Sequence, residues 1–166
     1  MHLNGGKDLS LWKLLTRLKF RLLPQGLQKL IAGNQRFMRG QAKFPTVCKE
    51  TLADLAREQK PFATILGCSD SRVPPELIFD ANFGELFIVR VAGNVISPEV
   101  MGSLQYAGAH LLTLLFVVLG HAGCGAVKAA LEYKLNGVQL RSRIQILAGV
   151  YKLFAPTGTS IGNRVS

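Results

Sequence analysis

Cysteine is scarce in this sequence, acidic residues are missing from its C-terminal end, and no apolar run is long enough to cross a bilayer. The three cysteines, Cys48, Cys68 and Cys124, form an odd and sparse set, unlike a disulfide framework. The chain is therefore expected in a reducing setting, the cytoplasm or a reducing organelle such as a stroma. Asp and Glu total 10 against 20 Lys and Arg, and the excess is uneven. Residues 1–43 hold nine bases and one acid, residues 133–166 five bases and no acid, and residues 44–132 six bases and nine acids. The bases are not interleaved with aromatics, and no zinc-finger or RNP-like motif accompanies them, so nucleic acid is not an expected partner. Lys13, Arg17, Lys19 and Arg21 interrupt the N-terminal apolar residues before they reach the length of a signal-peptide core. The apolar stretch at 111–119 is too short for a membrane span. A soluble protein is expected, with peripheral contact to a membrane left open.

What is present suits one ordered domain. At 166 residues and 48% hydrophobic, the chain can bury a single sizeable core. The pattern divides it into a basic, helical N-terminal arm at 1–43 and an α/β domain at 44–166, one domain overall. In residues 8–23, Leu11, Leu14, Leu15, Leu18 and Leu22 recur at helical spacing with Lys13, Arg17 and Arg21 between them, and Pro24 follows. This basic amphipathic helix suits packing on its own domain, a partner protein in an assembly, or a membrane surface. Further helices are expected at 25–39 and 50–59. From Pro61 onward, short apolar runs end in Gly or polar loops, the texture of strands buried on both faces. Strands are predicted at 62–68, 85–93, 114–121 and 144–152, with helices at 75–79, at 99–110 and from Gly125 to about residue 135. Strands alternating with helices imply a mostly parallel central sheet flanked by helices.

Ligands of open α/β sheets bind beyond the carboxyl ends of the strands, and the polar residues collect there. Cys68 ends the first strand, and His121 ends the third, three residues before Cys124. Two sulfurs and an imidazole make a zinc ligand set, and three protein ligands leave the fourth tetrahedral position open, as a catalytic site requires. A small buried cysteine or a lone H-x-x-C also occurs with no metal at all. Asp70 and Arg72 in the loop after Cys68 strengthen the catalytic reading. Arg can hold a carboxylate bidentately, orient it and keep it ionised, ready to accept a hydrogen bond from metal-bound water or to take the open position itself. Gly67, Gly93, Gly120, Gly123 and Gly125 are expected to allow close approach of backbone to the metal loops, since no phosphate-binding pattern accompanies them. Cys48 reads as a buried thiol. His2 and His110 read as surface or helix residues.

The stretches GCSDSRVPPELIF (67–79), GELFIVRVAGNV (84–95), SLQYAGAH (103–110) and VVLGHAGCGAVKAAL (117–131) closely resemble the β-class carbonic anhydrases, and the resemblance covers roughly residues 30–132. It implies reversible hydration of CO2 to bicarbonate through zinc-bound hydroxide, one Zn2+ per chain on Cys68, His121 and Cys124, and Asp70–Arg72 as the catalytic dyad. It further implies Gln59 as a hydrogen-bonding group near the substrate and Phe87 and Tyr106 as walls of an apolar CO2 pocket. In that family the walls are shared across a subunit interface, which implies a homodimer or higher homo-oligomer. The chain departs from the family after residue 131. The family usually continues with several more helices before a closing strand, whereas here residues 134–141 run almost directly into IQILAGVYKL. This internal shortening keeps a second class of function open, a catalytically impaired zinc protein that serves as a binding or structural component of a larger assembly. A hydrolase of another small linear molecule such as carbon disulfide is a third.

Overall fold

A computed structural model describes residues 24–43 and 49–137. The expected amphipathic helix at 8–23, Cys48 and the expected strand at 144–152 lie outside these residues. In chain order the elements are α1 (Gln25–Met38), α2 (Lys49–Leu55), β1 (Ala63–Gly67), α3 (Pro75–Ile78), β2 (Leu86–Arg90), a 3-10 turn (Ala92–Asn94), α4 (Pro98–Ala109), β3 (Phe116–Leu119) and α5 (Gly125–Asn136). Among the described residues the sheet has three strands in the order β2-β1-β3, and both pairings are parallel. No described helix is long and apolar enough to cross a membrane.

The chain's local chemistry explains where several elements begin. Pro24 precedes α1 and its carbonyl accepts the N–H of Gln28. Ser97 caps α4 by accepting from the N–H of Val100, with Pro98 at the first position and Glu99 in the first turn, which satisfies a free donor and sets an acid against the positive helix end. The predicted strands overrun the observed ones at their carboxyl ends. Cys68 and Val91–Gly93 are apolar or small and buried or half-buried, but they leave the ladder, and with Gly120–His121 they form the loops above the sheet.

β1 is the centre of the molecule, and all five of its residues are buried. Ala63 and Ile65 pack with Leu30 of α1 in a core joined by Phe62, Phe79, Leu86, Ile88, Leu115, Val117 and Leu119. On the opposite face the Thr64 hydroxyl lies 2.7 Å from that of Thr113, which in turn donates to the Ala107 carbonyl. Thr64 is therefore the donor to Thr113, and a polar side chain is satisfied inside the sheet. Burial on both faces, expected for every strand, holds fully only for β1. β2 is half-buried throughout, and on β3 Phe116 and Val118 remain 48% and 69% exposed. The reason is position: β1 has a strand on either side, whereas β3 is an edge strand among the described residues and only its Val117 and Leu119 side meets the core.

Helix α1 is locked to the corner after α3. The Asn34 amide donates to the Ile78 carbonyl, Arg36 pairs with the buried carboxylate of Asp80, and the N–H of Lys43 donates to the same carboxylate at 2.8 Å. Gly33 makes this approach possible, because a Cβ there would stand 1.7 Å from the Phe79 carbonyl oxygen. Gly33→Ala is expected to lower stability by about 3 kcal/mol, the upper part of the overpacking range. Urea unfolding followed by circular dichroism would show it as a lowered midpoint, and an unchanged midpoint would refute this account of the corner.

Candidate metal centre

The parallel register places the polar residues together. Gly67 is opposite Arg90 on one side and Leu119 on the other, so Cys68, the turn after β2 and the Gly120–Cys124 loop all emerge at one end of the sheet. The β1–β2 pairing continues briefly past the strands, with Val91 N–H donating to Gly67 O and Ser69 N–H to Val91 O. Cys124 is the N-cap residue of α5, so the positive end of that helix faces the cluster.

One ligand atom from each of Cys68, His121 and Cys124 lies within 4.8 Å of the others. The two Sγ atoms are 3.8 Å apart. Sulfurs about 2.3 Å from a zinc ion at the tetrahedral angle would be about 3.8 Å apart as well. The His121 ring donates from Nδ1 to the Ala122 carbonyl at 3.0 Å. That bond leaves Nε2 as the lone-pair nitrogen, and Nε2 is buried with no hydrogen-bond partner. A buried acceptor of this kind is costly unless something binds it, and a metal ion on the two sulfurs would do so. The residues fit zinc.

Asp70 and Arg72 form the expected pair. Arg72 Nε donates to Oδ1 at 2.9 Å and Nη2 to Oδ2 at 2.7 Å, and the Arg72 N–H adds a third bond at 3.0 Å. The guanidinium, then the backbone N–H, hold the Asp70 carboxyl well below the usual carboxylate range, and Asp70 in return raises Arg72. Asp70 Oδ2 lies 3.8 Å from His121 Nε2, so a fixed anion borders the cluster. Arg72 also reaches the Gly123 carbonyl at 3.4 Å, which ties the two ligand loops together. At Cys68, burial opposes ionisation, but hydrogen bonds from the N–H groups of Gly93 and Asp70, with Cys124 adding to them, outweigh it and bring the thiol down to about 7. Cys68 is thus close to its ligating form at neutral pH.

The other expected site residues lie elsewhere on the chain. Phe87 pairs with Thr64, four residues before Cys68, or about 13 Å along the strand. Tyr106, near the end of α4, is 6.1 Å from Phe87 between ring centroids and stacks on His110 at 5.1 Å. Gln59 is exposed in the segment leading into β1. All three are therefore towards the amino end of β1, away from the cluster of their own chain. The glycine expectation holds in part. The Gly93 N–H approaches Cys68 Sγ at 3.3 Å, and Gly123 has the left-handed φ of 64°. At Gly120 and Gly125 a Cβ would meet nothing within 4 Å, and at Gly67 only an ordinary contact with Pro75, so close approach does not explain those three. Sequence reasoning overlooked Arg90 and Asn94, which bond to the loops bearing the cluster. The only hint was the R-V-A-G-N string at a strand end.

Comparison with known proteins agrees with this geometry. The carbonic anhydrase family profile matches residues 63–158. The chain is 52% identical over 99 residues to carbonic anhydrase 2 of Mycobacterium tuberculosis, covering 60% of this chain and 48% of that protein. It is 50% identical over 100 residues to a carbonic anhydrase of Mycolicibacterium smegmatis, with the same coverage. The crystal structure of the β-carbonic anhydrase CafA of Aspergillus fumigatus superposes with a TM-score of 0.55 at 33% identity, over 63% of this chain and 50% of that one. The chain spans about half the length of the curated relatives it matches. A Cys-His-Cys cluster beside an Arg-held Asp, at the carboxyl end of a parallel sheet with this profile, makes the chain a member of the β-class carbonic anhydrase family.

Proposed function

We propose that the protein is a zinc-dependent carbonic anhydrase that interconverts CO2 and bicarbonate, with one zinc on Cys68, His121 and Cys124. The observation that carries this reading is the convergence of two sulfurs and an unpartnered imidazole nitrogen beside the Asp70 carboxylate. Zinc would supply a Lewis acid that makes water nucleophilic near neutral pH. Two thiolates weaken that effect relative to three imidazoles, so the chain's own groups must help. Asp70, ionised throughout the working pH range because Arg72 holds it, accepts a hydrogen bond from the attacking water and fixes its direction. Both carboxylate oxygens are engaged by Arg72, which favours Asp70 as a neighbour of the open position over a fourth ligand.

CO2 is apolar and needs a dry wall rather than a charged clamp. Phe87 and Tyr106 would form such a wall and Gln59 would be its polar group, but all three lie towards the wrong end of their own sheet. The reading therefore includes a homodimer in which each chain's aromatic pair faces its neighbour's cluster. Free thiols in the ligand set suit a reducing compartment.

Purified protein is expected to contain one zinc per chain by elemental analysis, and His121→Ala or Cys124→Ser to lose it. Stopped-flow hydration of CO2 by the zinc-loaded protein should exceed buffer, and Asp70→Asn should lower the rate about 10- to 100-fold with zinc retained. A protein with one zinc per chain and no rate above buffer would sink the proposal. Native mass measurement should show an even number of chains, whereas an active monomer would remove the shared wall.

A further inference from the structure

The turn after β2 offers no metal ligand, yet it bonds to both segments that do. Arg90, the last residue of β2, donates from Nε to the Cys68 carbonyl at 2.8 Å and from Nη2 to the Asp70 carbonyl at 2.6 Å. One rigid guanidinium thus spans the loop that sets both Cys68 Sγ and the Asp70 carboxylate. Among the described residues no carboxylate pairs with Arg90. Four residues on, the Asn94 amide donates to the Leu119 carbonyl at 2.6 Å, at the end of β3 and two residues before His121. Between them the Gly93 N–H donates to Cys68 Sγ. Gly93 and Asn94 both have left-handed backbone, with φ of 71° and 58°. Asparagine enters that region more readily than most side chains, and here its side-chain bond across to β3 fixes it there.

We propose that Arg90 and Asn94 are positioning residues, which set the distance between the Cys68 loop and the His121 loop so that the ligand atoms are assembled before a metal arrives. Cys68 and Cys124 are 56 residues apart in the chain, and the ladder ends at Gly67 and Leu119. Without these tethers above the sheet, only the long Arg72 bond to the Gly123 carbonyl would link the two loops by a side chain, the metal would have to complete their ordering at the moment of binding, and that cost would be taken from affinity. Arg90 fixes one loop, Asn94 the other, and the five residues between and including them link the two. The inference rests on the reading that the cluster holds zinc and is independent of the reaction performed there.

The test compares Asn94→Gly, Asn94→Asp, Arg90→Lys and Arg90→Gln with Ile96→Ala, an exposed neighbour with no bond to either loop. Glycine keeps the left-handed backbone and deletes the tether, and aspartate tolerates the same backbone but cannot donate. Zinc affinity is measured by competition with a chromophoric chelator, and site geometry by the visible spectrum of the cobalt(II) form. Both Asn94 variants are expected to bind zinc about 10- to 100-fold more weakly and to shift the cobalt bands, while Ile96→Ala matches wild type. Arg90→Lys, which can keep one of the two bonds, should recover part of what Arg90→Gln loses. Urea unfolding of the metal-free proteins separates this from general destabilisation. If Arg90→Gln fails to fold, the Asn94 pair and Arg90→Lys decide. Folded Asn94→Gly and Arg90→Lys proteins with wild-type zinc affinity and cobalt spectrum would overturn the proposal. A wild-type chain that binds no zinc would overturn it together with the reading beneath it. A chain that binds zinc without hydrating CO2 would overturn only the proposed function.

Discussion

A strand sealed on both faces and both edges has no polar outlet except at its ends, and β1 is such a strand. Each of its residues is buried, and its backbone bonds go to β2 and β3. Even its one polar side chain, Thr64, is consumed internally by Thr113. Whatever chemistry the central strand carries must begin after Gly67. That is where Cys68, Asp70 and Arg72 stand, and parallel pairing brings the ends of β2 and β3 to the same level. The enclosure of β1 thus decides both where the core lies and where the ligands meet.

Much of this was legible in the order of residues. Short apolar runs ending in Gly or polar loops gave the three strands and their parallel arrangement. The cluster was legible because thiols and an imidazole at strand ends have few other uses in that combination. Strand length was not legible. Val91 and Ala92 look like strand residues because partial burial selects small or apolar side chains, and burial does not require a ladder. The exposed Phe116 and Val118 side of β3 escaped for a related reason, since sequence records a side chain's polarity but not which strand is central among the described residues. Arg90 and Asn94 were invisible because their partners are backbone carbonyls, which every residue possesses.

The two ends of the sheet carry different kinds of surface. At the carboxyl end, charges are held in fixed hydrogen bonds, as in the Arg72–Asp70 pair. Towards the amino end, the Phe87 ring lies tilted against Tyr106, which stacks on His110. The proposed reaction would need both, polarity on one side of the reacting carbon and dryness on the other, and in one chain the two surfaces lie about 13 Å apart along β1, which is why the proposal includes a second chain.

The pairing of Gly67 with Leu119 has one more consequence. It works as a ruler. Side chains alternate faces along a strand, so a slip of β3 by one residue would exchange Val118 for Leu119 against the core and carry His121 away from Cys68. The carbonyl that Asn94 grips would move with it. Correct alignment of β3 and assembly of three ligand atoms are therefore a single event, and a misaligned sheet could not hold the site even with every residue present.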